Sequence, residues 1–178
     1  MDITYIIYIY FTIIFLINVQ EIYCSIICKR CKSKLFEITS IMEMKSSLAL
    51  NSKRKKLYNI NNVLTQVFAT PLKMIKDSDY HNPHKIYIEL IITSAGSLYC
   101  NEQEHAEGTF FKGYSWSECQ CPFCGKRLGF KYVPNQSFCS KMIEVDKDYN
   151  CKKRIPFFGL ITSRIESSYA FDKFKLEL

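Results

Sequence analysis

The sequence predicts an all-β domain built from short strands, and three observations support this prediction. Segments rich in β-branched and aromatic residues, with alternating or short apolar runs, lie at 34–44, 86–93, 128–133 and 157–162. Gly, Pro and Asn residues separate these segments, as expected where turns join strands. Few stretches show the periodicity of a helix. The composition, 48% hydrophobic and 23% charged with few Gly and Pro, excludes a disordered or collagen-like chain.

The chain begins with an uncharged, apolar run at residues 3–18. This run is shorter than the about 20 residues of a membrane-spanning helix. Its position and length are typical of the apolar region of a signal peptide, so we expect a signal peptide at 1–23, with cleavage somewhere near Val19 to Ser25. An uncleaved anchor and a buried strand are the alternatives, because Asp2 and the lack of Lys or Arg near the start are atypical of a signal peptide.

Two further features agree with a secretory route. Asn135-Gln136-Ser137 is a glycosylation sequon. The chain ends in Lys175-Leu176-Glu177-Leu178, which is similar to a KDEL-type retrieval signal with Leu in place of Asp. We therefore expect a secreted or ER-lumenal protein, with a C-terminal tail at 167–178 and no stable membrane insertion after signal cleavage.

Residues 47–78 differ in composition from the rest of the chain. They contain the basic run 53–56, followed at 57–69 by a stretch compatible with a short amphipathic helix. A basic run can indicate nucleic-acid binding, but this run is isolated in a chain that we expect to be lumenal. We predict a solvated insertion loop and no nucleic-acid partner, with anionic glycans or a membrane surface as minor alternatives.

Two of the cysteine pairs have CxxC spacing, Cys28 with Cys31 and Cys121 with Cys124. Each CxxC forms a tight turn whose thiolates point at one metal, and two such turns complete a tetrahedral Zn²⁺ site. Gly125 favours the second turn because glycine tolerates unusual backbone angles. The long separation between the pairs excludes a zinc finger and favours a sheet domain whose early and late hairpins are pinned by one structural zinc. Redox motifs and disulfides are the alternatives.

Besides the four CxxC cysteines, four remain if Cys24 is removed with the signal peptide: Cys100, Cys119, Cys139 and Cys151. Four cysteines allow three pairings, and the sequence alone does not choose among them. Two of them, Cys139 and Cys151, bracket a short loop and are a natural pair. That pairing would leave Cys100 with Cys119.

Aromatic residues concentrate around the second CxxC pair, at 108–132, together with the only tryptophan, Trp116. Such a group either fills a core or forms an aromatic cage around a small ligand. No paired carboxylates, Ser-His-Asp set or phosphate-binding loop accompanies it, and the three histidines lack metal spacing. We therefore expect no catalytic residues and no enzymatic activity.

Several motifs follow one another in register along the chain. They are Cys28 with Cys31, His81-Asn82-Pro83-His84, the segment TFFKGYSW at 109–116, Cys121 with Cys124, LGFKY at 128–132 and FFGL at 157–160. In order and spacing they resemble the CULT domain family, the ligand-binding domain of cereblon, from about Cys28 to Ser163. The resemblance implies two antiparallel β-sheets in a β-tent pinned by one zinc. The domain would span 24–166, with insertions at about 47–78 and 135–154.

The resemblance also implies a ligand site, because family members bind cyclic imides such as thalidomide and some uracil-like rings in a cage of three tryptophans. The cage walls here would be Phe110, Trp116 and Phe130. Tyr132 would stand behind the walls, Asn82 and Pro83 would face them, and the backbone of Gly108 and Phe110 would bond the imide. Two of the three wall positions hold Phe where the family has Trp, and Gly108 replaces a histidine of the family. We therefore expect a weaker affinity for cyclic imides or an altered specificity.

The function implied is a non-catalytic binding module without a ubiquitin ligase role of its own. A structural or interaction protein of the secretory pathway, in which the cage residues merely pack, is the first alternative. The second is an enzyme similar to methionine sulfoxide reductase B, which shares a related architecture and a two-CxxC zinc site. That enzyme needs a late catalytic cysteine, and neither Cys139 nor Cys151 lies in a recognisable active-site strand. The motifs identify no protein partner.

Overall fold

A computed structural model of the chain describes residues 7–11, 25–57, 60–69, 87–145 and 154–168. The strands in these ranges are β1 (Ser25–Cys28), β2 (Lys34–Glu37), β3 (Ile41–Met42), β4 (Asn51–Leu57), β5 (Ile60–Ala69), β6 (Tyr87–Thr93), β7 (Tyr99–Cys100), β8 (Tyr114–Gln120), β9 (Arg127–Pro134), β10 (Phe157–Ile161) and β11 (Ile165–Ser168). A helix spans Gln136–Val145, and 3₁₀ turns lie at Ile38–Ser40 and Thr162–Arg164.

The strands form two antiparallel sheets, which confirms the predicted fold class. The small sheet has the order β11-β1-β2. The large sheet has the order β4-β5-β6-β10-β9-β8-β7, with β3 also paired to β6. The turn Thr162–Arg164 carries the chain from β10 in the large sheet to β11 in the small one. The first and last described strands are neighbours, because β1 pairs with β11 from Ser25↔Ser168 to Cys28↔Ile165.

The large sheet is covered on both faces. On β6, Leu90 and Ile92 belong to an aromatic cluster on one face. Ile91 between them belongs to a second cluster, which includes Ile26 and Ile165 of the small sheet. This alternation is expected because successive side chains of a strand point to opposite faces. The small sheet therefore packs on one face, and the aromatic residues described below lie on the other.

The described part of the insertion at 47–78 contains a β-hairpin, so the predictions of a solvated loop and of a short helix were wrong. β4 pairs with β5, and β5 in turn pairs with β6 at the centre of the sheet. Arg54 and Lys55 of β4 form ion pairs with Glu43 and Glu89, so half of the basic run is already neutralised. Charged side chains on an edge strand also oppose pairing with other chains.

The helix Gln136–Val145 lies in the second predicted insertion and was not expected from the sequence. Asn135 caps its N-terminus, because the side-chain Oδ1 accepts a hydrogen bond of 2.9 Å from the Phe138 amide. Its Nδ2 donates to Ser115 Oγ at 2.9 Å. The asparagine of the sequon therefore has a structural role, and its glycosylation stays a prediction.

The predictions for the two ends of the chain fall mostly outside the described residues. Residues 7–11 of the predicted signal peptide are helical, and 169–178, with the KLEL sequence, are not described. In the part of the chain that is described, no helix is long and apolar enough to cross a membrane.

Glu89 of β6 lies in a partly buried network between the two sheets. Its carboxylate accepts hydrogen bonds from Lys55 Nζ at 2.6 and 2.8 Å and from Thr162 Oγ1 at 2.9 Å. Burial raises the pKa of this carboxyl, but hydrogen bonds from Lys55, Thr162 and Thr65 outweigh burial, so the pKa is lowered from its usual value of 4.5. The network thus favours the charged form of Glu89 in the folded protein.

We expect Glu89→Gln to lower the free energy of unfolding at pH 7 by about 1–3 kcal/mol, because charge-assisted hydrogen bonds are lost. A lowered folded-state pKa stabilises the protein above the unfolded-state pKa, and this stabilisation is lost as the pH falls through the folded-state value. The difference between wild type and variant should therefore shrink below about pH 4. Urea unfolding at several pH values measures this difference in the free energy of unfolding. Glu43→Gln, at an exposed position, is the control whose stability should differ little from that of the wild type. A difference that does not depend on pH would contradict this account.

Candidate metal centre and aromatic site

The four cysteines of the two CxxC pairs come together at the junction of the sheets. Their sulfur atoms all lie within 4.8 Å of one another. The Sγ atoms of Cys31 and Cys121 are 3.6 Å apart, and those of Cys28 and Cys124 are 3.8 Å apart. A tetrahedral zinc–thiolate site, with Zn–S bonds of about 2.3 Å, places its sulfurs about 3.8 Å apart. The donor set therefore fits one metal ion, as the sequence predicted.

The two CxxC turns, which we call knuckles, share one hydrogen-bond pattern. The amide after each second cysteine donates to the carbonyl of the first, from Lys32 to Cys28 at 2.8 Å and from Gly125 to Cys121 at 3.0 Å. These donors have left-handed backbones, with φ of 62° at Lys32 and 68° at Gly125. The prediction that Gly125 serves an unusual backbone angle is confirmed, whereas Lys32 adopts the same angle with a side chain.

The protonation of the cysteines shows why a cation suits this site. Hydrogen bonds with Ser33 lower the pKa of the Cys31 thiol to about 6. Burial raises the pKa of Cys121 to about 12 and also raises that of Cys28. Buried thiolates are costly without a compensating charge, and a bound metal ion supplies that charge. A bound cation would therefore favour the thiolate forms of Cys28 and Cys121, which burial alone disfavours.

A disulfide joins Cys100 of β7 to Cys119 of β8, which confirms one of the predicted pairs. The two residues lie opposite each other in the antiparallel pair, with Cα atoms 4.0 Å apart. Cys139 is also disulfide-bonded. Its predicted partner, Cys151, lies outside the described residues, so that pairing stays a prediction.

The structure brings together the three predicted cage walls. Phe130 lies on β9, Trp116 on β8 and Phe110 on the loop between β7 and β8. Phe130 meets Phe110 at an interplanar angle of 90° and Trp116 at 88°, with ring centroids 5.8 and 5.5 Å away. Tyr132 lies behind Phe130 at 6.3 Å. Three rings therefore form a corner, with Phe130 perpendicular to the other two.

The walls are covered by other side chains. Phe110, Trp116 and Phe130 are 4%, 8% and 0% exposed. Phe68 of β5 stacks on Phe110 with centroids 4.6 Å apart, and His105 lies 4.8 Å from Trp116. The sequence did not reveal Phe68, because its segment was interpreted as a loop or helix. His105 itself is exposed, so it is the covering residue nearest to solvent.

Some of the backbone and polar groups around the walls already form hydrogen bonds within the protein. The indole Nε1 of Trp116 donates to the Glu107 carbonyl at 2.9 Å. The Phe110 carbonyl, expected to contact an imide, accepts a hydrogen bond from the Ser46 hydroxyl. Gly108 has φ of 70° in the same loop. Asn82 and Pro83, the other two predicted site residues, lie outside the described residues.

Tyr132 contributes a buried polar group to this apolar cluster. Its side chain is fully buried, and among the described residues its hydroxyl has no hydrogen-bond partner. Burial raises the pKa of Tyr132 well above its usual value, and Arg127 opposes this only in part. The hydroxyl is therefore neutral and able to bond a polar atom that enters the cluster.

One cavity lies next to the aromatic cluster but outside the corner formed by the walls. It has a volume of about 220 Å³ and is lined by residues that include Gly113, Tyr114, Asn135 and Phe138. None of the three walls lines it. Its volume is below the about 300–1,000 Å³ of typical ligand pockets, so it does not replace the corner as the candidate site.

No family model and no curated protein matches the chain. The fold and the site alone define the class of protein: a two-sheet, all-β domain with a four-cysteine cluster that can hold one metal ion, and with a buried aromatic corner in a separate cluster on the other face of the large sheet.

Proposed function

We propose that this protein is a non-catalytic binding module of the secretory pathway, stabilised by zinc, whose aromatic corner accepts a flat ring such as a cyclic imide or a uracil-like base. The observation that carries the proposal is the perpendicular arrangement of Phe110 and Trp116 about Phe130. A planar ligand can stack on one ring while it meets the edge of the next. The sequence motifs that resemble the CULT domain family support the same ligand class.

Zinc is the proposed metal because four cysteine thiolates in tetrahedral geometry favour it over harder ions. Its role is structural, and it supplies no chemistry to the ligand. Cys121 and Cys124 lie between β8 and β9, which carry Trp116 and Phe130. A metal that fixes this connection would hold the two walls at their mutual angle.

Binding of a ring to the walls requires some of the side chains that cover them to move. The side chain of His105 is exposed and lies over Trp116, so rotation of this side chain would open that wall. The Tyr132 hydroxyl then offers a hydrogen bond inside the cluster. A site that is open only part of the time binds more weakly by that fraction. We therefore expect low affinity.

A structural or interaction protein is the second candidate, and the burial of all three walls favours it. In that case Phe68 and Phe110 are core residues, and the corner never opens. The enzyme alternative has less support, because Cys139, one of its two late cysteines, is held in a disulfide.

Titration of thalidomide and of uridine, followed by Trp116 fluorescence, tests the proposal. Trp116 is the only tryptophan, so any change in emission reports on this wall. We expect saturable quenching by at least one of the two compounds. The absence of quenching at millimolar concentrations of both would overturn the binding function in favour of the structural candidate.

Phe110→Leu and Phe111→Leu form a matched pair for this test. Both residues are buried, at 4% and 3% exposed, and both contact Phe68. We expect each substitution to lower stability by about 0.5–3 kcal/mol. Only Phe110→Leu should weaken ligand binding, by up to about tenfold, since it alone removes a wall. Equal effects of the two variants on binding would show that the rings act only as core.

A further inference from the structure

The two knuckles have no covalent connection near the metal site. Cys28 ends β1 of the small sheet, whereas Cys121 follows β8 of the large sheet. The ligands Cys31 and Cys121 are 90 positions apart in the chain. Without a metal, something else must hold the knuckles at the spacing of the ligands.

Arg164 contacts both knuckle regions from the turn that crosses between the sheets. Its carbonyl accepts a hydrogen bond of 3.1 Å from the amide of Lys29, inside the first knuckle. Its guanidinium Nη1 donates to the carbonyl of Arg127 at 3.0 Å, just after the second knuckle. Next to Arg127, the carbonyl of Lys126 accepts from the amide of Cys121 at 2.8 Å. One residue thus connects the backbone of the first knuckle to that of the second.

The side chain of Arg164 is buried and positively charged. Arg164 is only 8% exposed, and a buried cation is costly unless negative charge compensates it. A Zn²⁺ ion with four thiolates carries a net charge of −2, from two positive and four negative charges. Arg164 therefore has a charge opposite in sign to that of such a cluster, as well as hydrogen bonds to both knuckle regions.

We propose that Arg164 is a positioning residue of the metal site, which holds the two knuckles at ligand spacing and raises the affinity for the ion. The proposal rests on the zinc site proposed above, and it adds a residue that is not a ligand. It also gives the 3₁₀ turn Thr162–Arg164 a function beyond joining β10 to β11.

Arg164→Met in the full chain tests this, with Arg127→Met as its matched control. Both arginines are 8% exposed and both substitutions remove one positive charge, but the Arg127 guanidinium lies over the Phe130 ring at 5.1 Å. Arg127→Met also keeps the carbonyl that Arg164 uses. Competition with a zinc chelator measures affinity, and the absorption spectrum of the Co²⁺-loaded protein reports the geometry of the four sulfurs.

We expect Arg164→Met to weaken zinc binding about tenfold or more and to alter the Co²⁺ spectrum, as loss of groups that orient metal ligands does. Arg127→Met should leave both unchanged. Equal zinc affinities for the two variants would overturn the positioning role. If Arg164→Met does not fold, Arg164→Lys is compared with Arg127→Lys, and equal affinities again overturn it. A wild-type protein that binds no zinc would instead refute the zinc site itself, and the positioning role with it.

Discussion

Removal of the proposed metal ion is expected to lower the melting temperature by at least about 20 °C. Structural zinc sites contribute about 10–16 kcal/mol of binding free energy, and each kcal/mol shifts Tm by about 2–4 °C in a protein of this size. Here two of the four cysteines belong to the small sheet and its turn, and two lie between β8 and β9 of the large sheet, so removal of the ion also removes one connection between the sheets. Thermal unfolding followed by circular dichroism, with and without a chelator, measures the effect.

Cys121→Ser should reproduce the effect of the chelator and make the protein insensitive to it. Cys100→Ser is the control, because Cys100 belongs to the disulfide with Cys119 and not to the metal cluster. That variant should lose some stability and still respond to the chelator. A wild-type Tm that does not change on chelation would show that the four cysteines are not a structural metal site.

Gly129→Ala is expected to lower the free energy of unfolding by about 3 kcal/mol or more. A Cβ at Gly129 would lie 2.1 Å from the carbonyl oxygen of Gly159 and 3.0 Å from the Cα of Leu160. These are backbone atoms of β10, the neighbouring strand at the centre of the large sheet, so no side chain can rotate away. The sheet must separate at this point, and Phe130 moves with it.

Gly125→Ala is the matched control, four residues away in the second knuckle. No atom lies within 4 Å of its added Cβ, so only the left-handed backbone, with φ of 68°, opposes it. We expect a loss of about 1–2 kcal/mol for this variant. Denaturant midpoints of the two variants make the comparison. Equal stability would mean that β9 and β10 separate more easily than their close contact indicates.

The fold class and the cluster of four cysteines were predictable because local patterns encode them. Alternating apolar residues identified the central strands, such as β6 and β10, whatever their partners. The spacing of Cys28, Cys31, Cys121 and Cys124 identified the cluster because two knuckles must combine to complete four ligands.

The β4–β5 hairpin was not predictable in the same way. Its basic and polar residues resemble a solvated loop. The pairing of β5 with β6 and the ion pairs with Glu43 and Glu89 involve residues outside the hairpin. The contact between Phe68 and Phe110 was not predictable either, because two residues 42 positions apart leave no local pattern in the sequence. The position of Arg164 between the knuckles could not be predicted from the sequence either, because it is defined by hydrogen bonds to two residues that are distant in the chain.

The pairing of β1 with β11 has a consequence for synthesis. A ribosome releases Cys28 and Cys31 long before Ile165, which lies opposite Cys28 in the sheet. The nascent chain therefore holds two unpaired thiols and an apolar strand, β1, that can pair with β2 on one edge only, while more than a hundred residues are added. Neither the small sheet nor the cluster can close during this interval, and such exposed segments invite wrong disulfides and aggregation. Folding of this domain is completed only after translation has passed its last strand.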